Sequence, residues 1–475
     1  MGAPLMLGVS GLRGIVGESL TDEVAARWSR ALAVWLRERN PGAHIRVAVG
    51  RDGRQGGERF EQCVTEALIA SGCDVLTCGV LSTPTMGVTV AHGSFDAGVV
   101  VTASHNPQQW NGLKAIVGNG STASAPDGES AGRLVALFHE SARPDGDTDG
   151  SLIEDDLAPT RTHVELVLRA LERVGPVGDA HAVVDSVNCS GAVGADLLTK
   201  ALDVRMTQVY GDGSGIFPHT PEPTAENLSG QGGLCDAIRG LKADVGFAQD
   251  PDADRLAIVD EHGKYIGEEY TLAIAAEALL GALGDGAKGK VVCANLSTSR
   301  MIDDIASKYG AGVVRTAVGE ANVVQAMLEH DAVLGGEGNG GVIWPGVVHV
   351  RDSLGSMALT LALMARTGRS VSQIVSDIDA TCGGAYAIEK RKTEIPSKEA
   401  AGPAVDAIAR AYSDQKLDQQ DGVRVDWDDA PHGGGPAWLH VRASNTEPIM
   451  RLICEAHSEG QAVAILEEAA GVIGG

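Results

Sequence analysis

Residues 99–107 read Val-Val-Val-Thr-Ala-Ser-His-Asn-Pro. The β-branched run fits a buried strand, and the Ser, His, Asn and Pro that follow end it. Strands of α/β folds commonly deliver functional groups at their carboxyl ends, so Ser104 is placed where chemistry is done. A plain turn is the competing reading, because Ser, Asn and Pro are ordinary turn residues. A Ser-His-Asp hydrolase is the weaker alternative. Adjacent Ser104 and His105 project differently, and the G-x-S-x-G elbow is missing.

Working outward, three stretches open with a short apolar strand pattern and continue through alternating strand and helix signals. They begin near residues 44–54 (HIRVAVGRDGR), 179–191 (DAHAVVDSVNCSG) and 289–299 (GKVVCANLSTS). Helical patterns fill the gaps, as at 21–40, where a Thr cap precedes Ala25, Leu32, Val34 and Leu36 among charges. The polar, turn-rich segment 142–151 reads as a linker. The last hundred residues differ, with an edge-strand pattern from 381 followed by helix, strand, strand and helix. The expected fold class is therefore α/β: three tandem α/β/α domains with mixed sheets, at 1–150, 151–266 and 267–375, plus a smaller α+β domain at 376–475. One loop from each would meet at a central cleft.

Composition limits what such a cleft can serve. The 475 residues are 44% hydrophobic with 62 glycines, suiting a large multidomain α/β protein. A formal net charge of -25 argues against nucleic acid and anionic membrane as partners. An anionic small ligand would need the basic residues concentrated in its site. The eight cysteines form no C-x-x-C pair, so they read as reduced thiols of a cytoplasmic protein. No signal-peptide pattern or bilayer-length apolar run is present in the sequence.

Three further segments carry candidate chemistry. In 247–260 (FAQDPDADRLAIVD), Asp250, Asp252 and Asp254 repel one another unless a hard cation lies among them, and all-oxygen ligation favours Mg²⁺ or Ca²⁺ over zinc. An EF-hand is rejected because Arg255 stands where that loop needs Gly and a strand pattern follows; a solvated acidic turn remains the bland alternative. Arg255 beside the carboxylates favours phosphate chemistry. In 332–345 (AVLGGEGNGGVIWP), Glu337 and Asn339 sit in a glycine-rich loop with acceptors and donors suited to sugar hydroxyls, though any Gly-rich turn looks similar. In 442–451 (RASNTEPIMR), Arg442, Ser444, Asn445, Thr446 and Arg451 could clamp a phosphate by charge-assisted hydrogen bonds.

The ordered series TASHNP, D-x-D-x-D-R, G-E-x-x-G and R-x-S-x-T-E-P resembles that of the α-D-phosphohexomutases over essentially the whole chain, and GVSGLRG (8–14) and NGLKA (111–115) match two further motifs. Among these enzymes the chain looks most like a phosphoglucosamine mutase, with a phosphomannomutase/phosphoglucomutase as the alternative. The resemblance implies that phospho-Ser104 gives its phosphoryl group to a hexose monophosphate, and that the sugar 1,6-bisphosphate turns over and returns the other phosphoryl. It implies Mg²⁺ held by Asp250, Asp252, Asp254 and the phosphate on Ser104. Arg13, Lys114 and Arg255 would supply positive charge, with Arg13, His105 and Lys114 as candidates for proton transfer. Glu337 and Asn339 would read the sugar, and 442–451 would hold the resting phosphate. A homo-oligomer is left open.

Departures bear on the substrate. Asn339 and Gly341 stand where members acting on glucose or mannose phosphates carry Ser and His. Leu296 replaces a basic residue, and Glu320 replaces a His. Glu320 would add negative charge favouring a 2-ammonium group, and Gly341 would leave room beside the ring. A catalytically silent sugar-phosphate-binding regulator is the alternative from another class; it would be expected to have lost Ser104 or an aspartate.

Overall fold

A computed structural model describes residues 4–8, 11–144, 150–155, 157–444 and 448–474. The valine run lies in a fully buried strand, Ala97–Val101. Its sheet contains β1 (Met6–Gly8), β2 (Gly11–Ile15), β3 (Arg46–Arg51), β4 (Asp74–Val80), β5 (Ala97–Val101), β6 (Trp110–Asn119) and β7 (Thr122–Ser124). The order is β1-β2-β6-β5-β3-β4, with β7 on β6. β5, β3 and β4 are parallel, whereas β6 runs antiparallel to β5. The helix Asp22–Arg39 that covers this sheet begins where Thr21 Oγ1 accepts from Val24 N. Asp22 and Glu23 open its first turn and Arg37 and Arg39 close its last, both matched to the helix dipole.

The same pattern recurs twice. β8 (His181–Asp185), β9 (Arg205–Val209), β10 (Val245–Gln249) and β11 (Leu256–Val259) form a sheet of order β11-β10-β8-β9. β12 (Val291–Asn295), β13 (Gly312–Thr316), β14 (Leu334–Glu337) and β15 (Gly341–Ile343) form one of order β13-β12-β14-β15. In each unit a third strand parallel to the first is followed by an antiparallel fourth. The turn between those two strands holds Ser104 in the first unit, Asp250–Asp254 in the second and the loop from Glu337 in the third. Three equivalent turns thus supply three kinds of functional group.

The fourth sheet is entirely antiparallel, with β16 (Ala387–Glu394), β17 (Lys416–Asp418), β18 (Val423–Trp427), β19 (Ala437–Ala443) and β20 (Ile449–Ala456) in the order β16-β20-β19-β18-β17. The expected edge strand near 381–396 is β16. Helices Ala401–Ala411 and Glu459–Gly474 cover one face, packing Ile408 and Ile465 on Val425, Leu439 and Leu452. A separate apolar cluster runs through the first three units, from Met86 and Val100 past Phe247 and Leu272 to Met357. Helix Val371–Thr381 runs through the third expected domain boundary at 375. Part of the expected linker, 145–149, lies outside the described residues, while Gly150–Ile153 packs along β4, with Ser151 O accepting from Val75 N. All eight cysteines are free and six are buried. No helix among the described residues is long and apolar enough to cross a membrane.

Candidate active site

Ser104 is 2% exposed and has φ 49°, the left-handed region that a non-glycine residue occupies only when its surroundings impose it. Those surroundings come from the RDGR turn after β3. Thr102 Oγ1 donates to Asp52 Oδ2 (2.6 Å) and accepts from Ser104 N (2.8 Å). Buried Arg54 pairs with Asp52 through Nε (2.8 Å), and donates to the carbonyls of Ser104 and Trp110. The result is a serine fixed by its backbone with its hydroxyl turned towards the aspartate turn of the second unit. Ser104 Oγ donates to Asp250 Oδ2 (2.9 Å), and His105 Nδ1 lies 3.3 Å from the same oxygen. Burial pushes His105 down to about 3, with the charges of Arg255 and Arg13 adding to the effect, so its imidazole is neutral at physiological pH. Arg13 Nη1 donates to Asn106 Oδ1 (3.1 Å), and burial lowers its guanidinium below the ordinary value.

The three aspartates are completely buried, and they present oxygens within 4.8 Å of one another. Their turn is wedged between its neighbours: Thr83 donates to Asp252 from both N (2.9 Å) and Oγ1 (2.6 Å), and Ser190 Oγ donates to Pro251 O (2.8 Å). Lys114 Nζ reaches from β6 to Asp252 Oδ2 (2.9 Å) and Asp254 Oδ2 (2.7 Å). Burial alone would lower Lys114, but these two carboxylates raise it above its usual value, so it stays an ammonium. Burial, then Asp252 and Asp254, drive Asp250 well above the carboxylate range. Asp252 and Asp254 are lowered in spite of burial, chiefly by Lys114 and by Arg351 respectively. Asp252 Oδ1 and Asp254 Oδ1 are buried without a hydrogen-bond partner. Orphaned carboxylate oxygens in an all-oxygen cluster fit a hard divalent cation. Arg255 stands beside them, its Nε unpartnered and 3.9 Å from Asp254 Oδ1.

The sugar-loop candidates join the same network through a residue that the motif reading missed. Arg351 is 8% exposed and faces three carboxylates: Nη1 donates to Glu337 Oε2 (2.8 Å), Nη2 to Asp254 Oδ2 (2.7 Å), and Nε stands 3.2 Å from Glu320 Oε2. Two expectations are corrected here. Glu320 is not an unpaired charge, because Arg351 binds it by side chain and by backbone N (3.1 Å). Gly341 does not leave room beside the ring, because a Cβ there would stand 2.2 Å from Arg351 Cδ; the guanidinium's stem fills the space. Burial still lifts Glu320 above its usual range, against the pull of Arg351 and Lys114. Glu337 also accepts from Asn295 Nδ2 (2.8 Å), and Asn339 Oδ1 accepts from Gly341 N (3.2 Å) within its own turn. Leu296 is buried beneath the fourth sheet.

That sheet lays its uncovered face on residues 296–300. Ser297 Oγ donates to His440 Nδ1 (2.8 Å), and Arg300 N donates to Glu455 Oε1 (2.8 Å). On this face Arg442 is directly opposite Arg451, and Arg451 is opposite Lys392 on β16. Like charges opposite one another destabilise a sheet, so a row of three cations suggests an anion as their counterpart. Arg442 Nε lies 3.2 Å from Asp421 Oδ2. Ser444 ends the described part of this segment and is engaged, whereas the expected ligands Asn445 and Thr446 lie outside the described residues. No hydrogen bond or ion pair between described residues links Arg442 or Arg451 to the Ser104 network.

Family models match all four parts: the phosphoglucomutase/phosphomannomutase alpha/beta/alpha domains I (residues 4–135), II (176–263) and III (267–381), and the C-terminal domain of that family (393–472). The chain belongs to the phosphoglucomutase/phosphomannomutase family. It is a phosphohexomutase, an isomerase that works by phosphoryl transfer. It is 35% identical over 471 residues to a "probable phosphoglucosamine mutase" of Methanopyrus kandleri, covering 98% of this chain and 97% of that one. It is 32% identical over 468 residues to a "phosphoglucomutase/phosphomannomutase" of Thermococcus kodakarensis, covering 97% of each. A solved structure of a phosphoglucomutase/phosphomannomutase family protein from Burkholderia thailandensis superposes with a TM-score of 0.79, at 25% identity and 98% coverage of both chains.

In this mutase, four residues that build the site network or the row of cations escaped the motif reading. Asp52 and Arg54 were visible only as a charged RDGR turn after a strand, a signal of position rather than chemistry. Lys392 lies in an edge strand whose register with β20 cannot be seen in one strand. Arg351 left one cue, a lone cation between an apolar run and the apolar helix Ser353–Thr367.

Proposed function

We propose that the mutase interconverts glucosamine 6-phosphate and glucosamine 1-phosphate, with Mg²⁺ at Asp250, Asp252, Asp254 and the phosphate on Ser104. The observation that carries the sugar assignment is that Glu320 and Glu337 share a single guanidinium, which Asp254 also occupies. Two glutamates on one guanidinium favour a substrate that brings its own positive charge to that end of the cleft. The name of the Methanopyrus relative points the same way. The name of the Thermococcus relative supports the rival reading, a phosphomannomutase/phosphoglucomutase.

Phospho-Ser104 gives its phosphoryl group to the free hydroxyl of the sugar phosphate. The bond from phosphorus to Ser104 Oγ breaks, one to the sugar oxygen forms, and the hydroxyl proton ends on Ser104 Oγ. Neutral His105, with Nδ1 3.3 Å from that oxygen, is positioned to relay it. The 1,6-bisphosphate then turns over and the other phosphoryl returns to Ser104 by the reverse of this step. Arg255 and Arg13 hold the transferring oxygens, and Lys114 remains an ammonium that keeps two aspartates in place. When bound, Mg²⁺ would add positive charge against the developing charge of the phosphoryl group. Glu337 and Asn339 orient the sugar. Arg442, Ser444, Asn445, Thr446 and Arg451, joined by Lys392, hold the phosphate that is not reacting.

The deciding experiment compares kcat/KM for glucosamine, glucose and mannose 1-phosphates on one preparation. The amino sugar should lead by a margin worth about 1–3 kcal/mol. A preference of about tenfold or more for glucose or mannose 1-phosphate, equivalent to roughly 1.4 kcal/mol, would transfer the assignment to the rival.

A further inference from the structure

We propose that Arg351 is a positioning residue that couples occupation of the metal site to binding of the sugar. Its place in the fold is rigid. Arg351 N donates to Glu320 Oε1 (3.1 Å), and Asp352 N donates to Val342 O (2.8 Å). Asp352 then caps the helix Ser353–Thr367 by accepting from Leu354 N (2.9 Å) and Gly355 N (3.0 Å). From that anchor the side chain crosses Gly341 to reach Asp254 of the second unit and Glu337 of the third. The two turns also touch directly, since Leu256 N donates to Gly340 O (3.0 Å).

The donors of Arg351 are unevenly used. Nη1 and Nη2 are committed to Glu337 and Asp254, whereas Nε is buried and lacks an aligned acceptor despite the nearby Glu320 oxygen. Asp254 likewise has one oxygen on Arg351 and Lys114 and another with no partner. A guanidinium 2.7 Å from Asp254 Oδ2 competes electrostatically with any cation for that carboxylate. Once a divalent cation takes up Asp254's charge, the hold on Nη2 weakens. Arg351 is then free to pair with Glu320 and Glu337 and to fix them as acceptors for the sugar. A guanidinium spreads five donors over a planar fork and can bridge separated carboxylates, whereas the three donors of a lysine radiate from a single nitrogen.

This assignment rests on the sugar-phosphate reading of the cleft. Its test uses calorimetric titration in a Ser104→Ala background, where no phosphoryl group can be transferred. Mg²⁺ alone is titrated first, then glucosamine 6-phosphate with and without Mg²⁺. With Arg351 present, Mg²⁺ should tighten sugar binding by about fivefold or more, the usual lower range of coupling between sites. Arg351→Met should strengthen Mg²⁺ binding while abolishing that coupling. Arg351→Lys should keep Mg²⁺ binding near its starting value and still lose the coupling. These opposite movements are what general loss of structure cannot produce.

Parallel weakening of Mg²⁺ and sugar in a folded Arg351→Met protein, or coupling that survives either substitution, overturns the assignment. If Arg351→Met fails to fold, the coupling measured in Arg351→Lys decides by itself. Glucose and mannose 6-phosphates run alongside separate the two readings. A wrong sugar assignment changes which sugar binds best, whereas a wrong role for Arg351 leaves coupling unaltered by the substitutions.

Discussion

His440 should make attachment of the fourth domain sensitive to acid. Its ring is completely buried between β19 and the third unit, with Nε2 2.7 Å from the Asp421 carbonyl and Nδ1 receiving the Ser297 hydroxyl at 2.8 Å. A carbonyl only accepts, so Nε2 carries the proton and Nδ1 is the acceptor; the ring is therefore neutral. Burial pushes His440 down to about 4, with Arg424 and Arg442 adding to the fall against Asp421. In the unfolded chain the ring titrates near its ordinary value of about 6.5. The unfolded state thus binds more protons between these two values. Stability from this group is fully present above pH ~6.5 and is lost progressively as pH falls towards 4. A difference of about 2.5 pKa units corresponds to roughly 3 kcal/mol. Substituting His440→Asn removes that titration, so the variant should be less stable at pH 8 but should lose less on acidification. Hydrogen exchange of peptides covering 437–456, corrected for the intrinsic pH dependence of exchange, reads the local opening free energy. Parallel pH profiles for the two proteins, or a His440 titration near 6.5 by NMR, would refute the reasoning.

Two further outcomes follow from the site. Ser104→Ala should lower turnover by several orders of magnitude with melting unchanged, and peptide mapping of the active protein should find phosphate on Ser104; near-normal turnover in the variant would dismiss the phosphoserine. Lys392→Met should raise KM for the sugar phosphate by about fivefold with kcat nearly unchanged, as loss of an exposed charge-assisted contact worth about 1 kcal/mol predicts. An unaltered KM would remove Lys392 from the phosphate row.

What could be read in advance divides along a physical line. Val99–Val101, Asp250–Asp254 and the glycine loop at Glu337 were legible because each combines a strand pattern with chemistry packed into a few consecutive residues. Their meeting in one network follows the topology: all three occupy the turn before an antiparallel fourth strand, the same place in each unit. Arg54, Lys392 and Arg351 were not legible because their roles depend on what lies opposite them, across 50 residues of chain from Arg54 to Ser104 and 97 from Arg351 to Asp254. The two corrected expectations share that cause. Gly341 and Glu320 were each read as though the cleft beside them were empty, when a single side chain from ten residues beyond Gly341 fills one position and pairs with the other. A small residue in a site loop therefore signals space only when nothing else in the fold needs it. At Gly341 that requirement is the passage of Arg351, so Gly341 and Arg351 are best understood as one feature of the cleft.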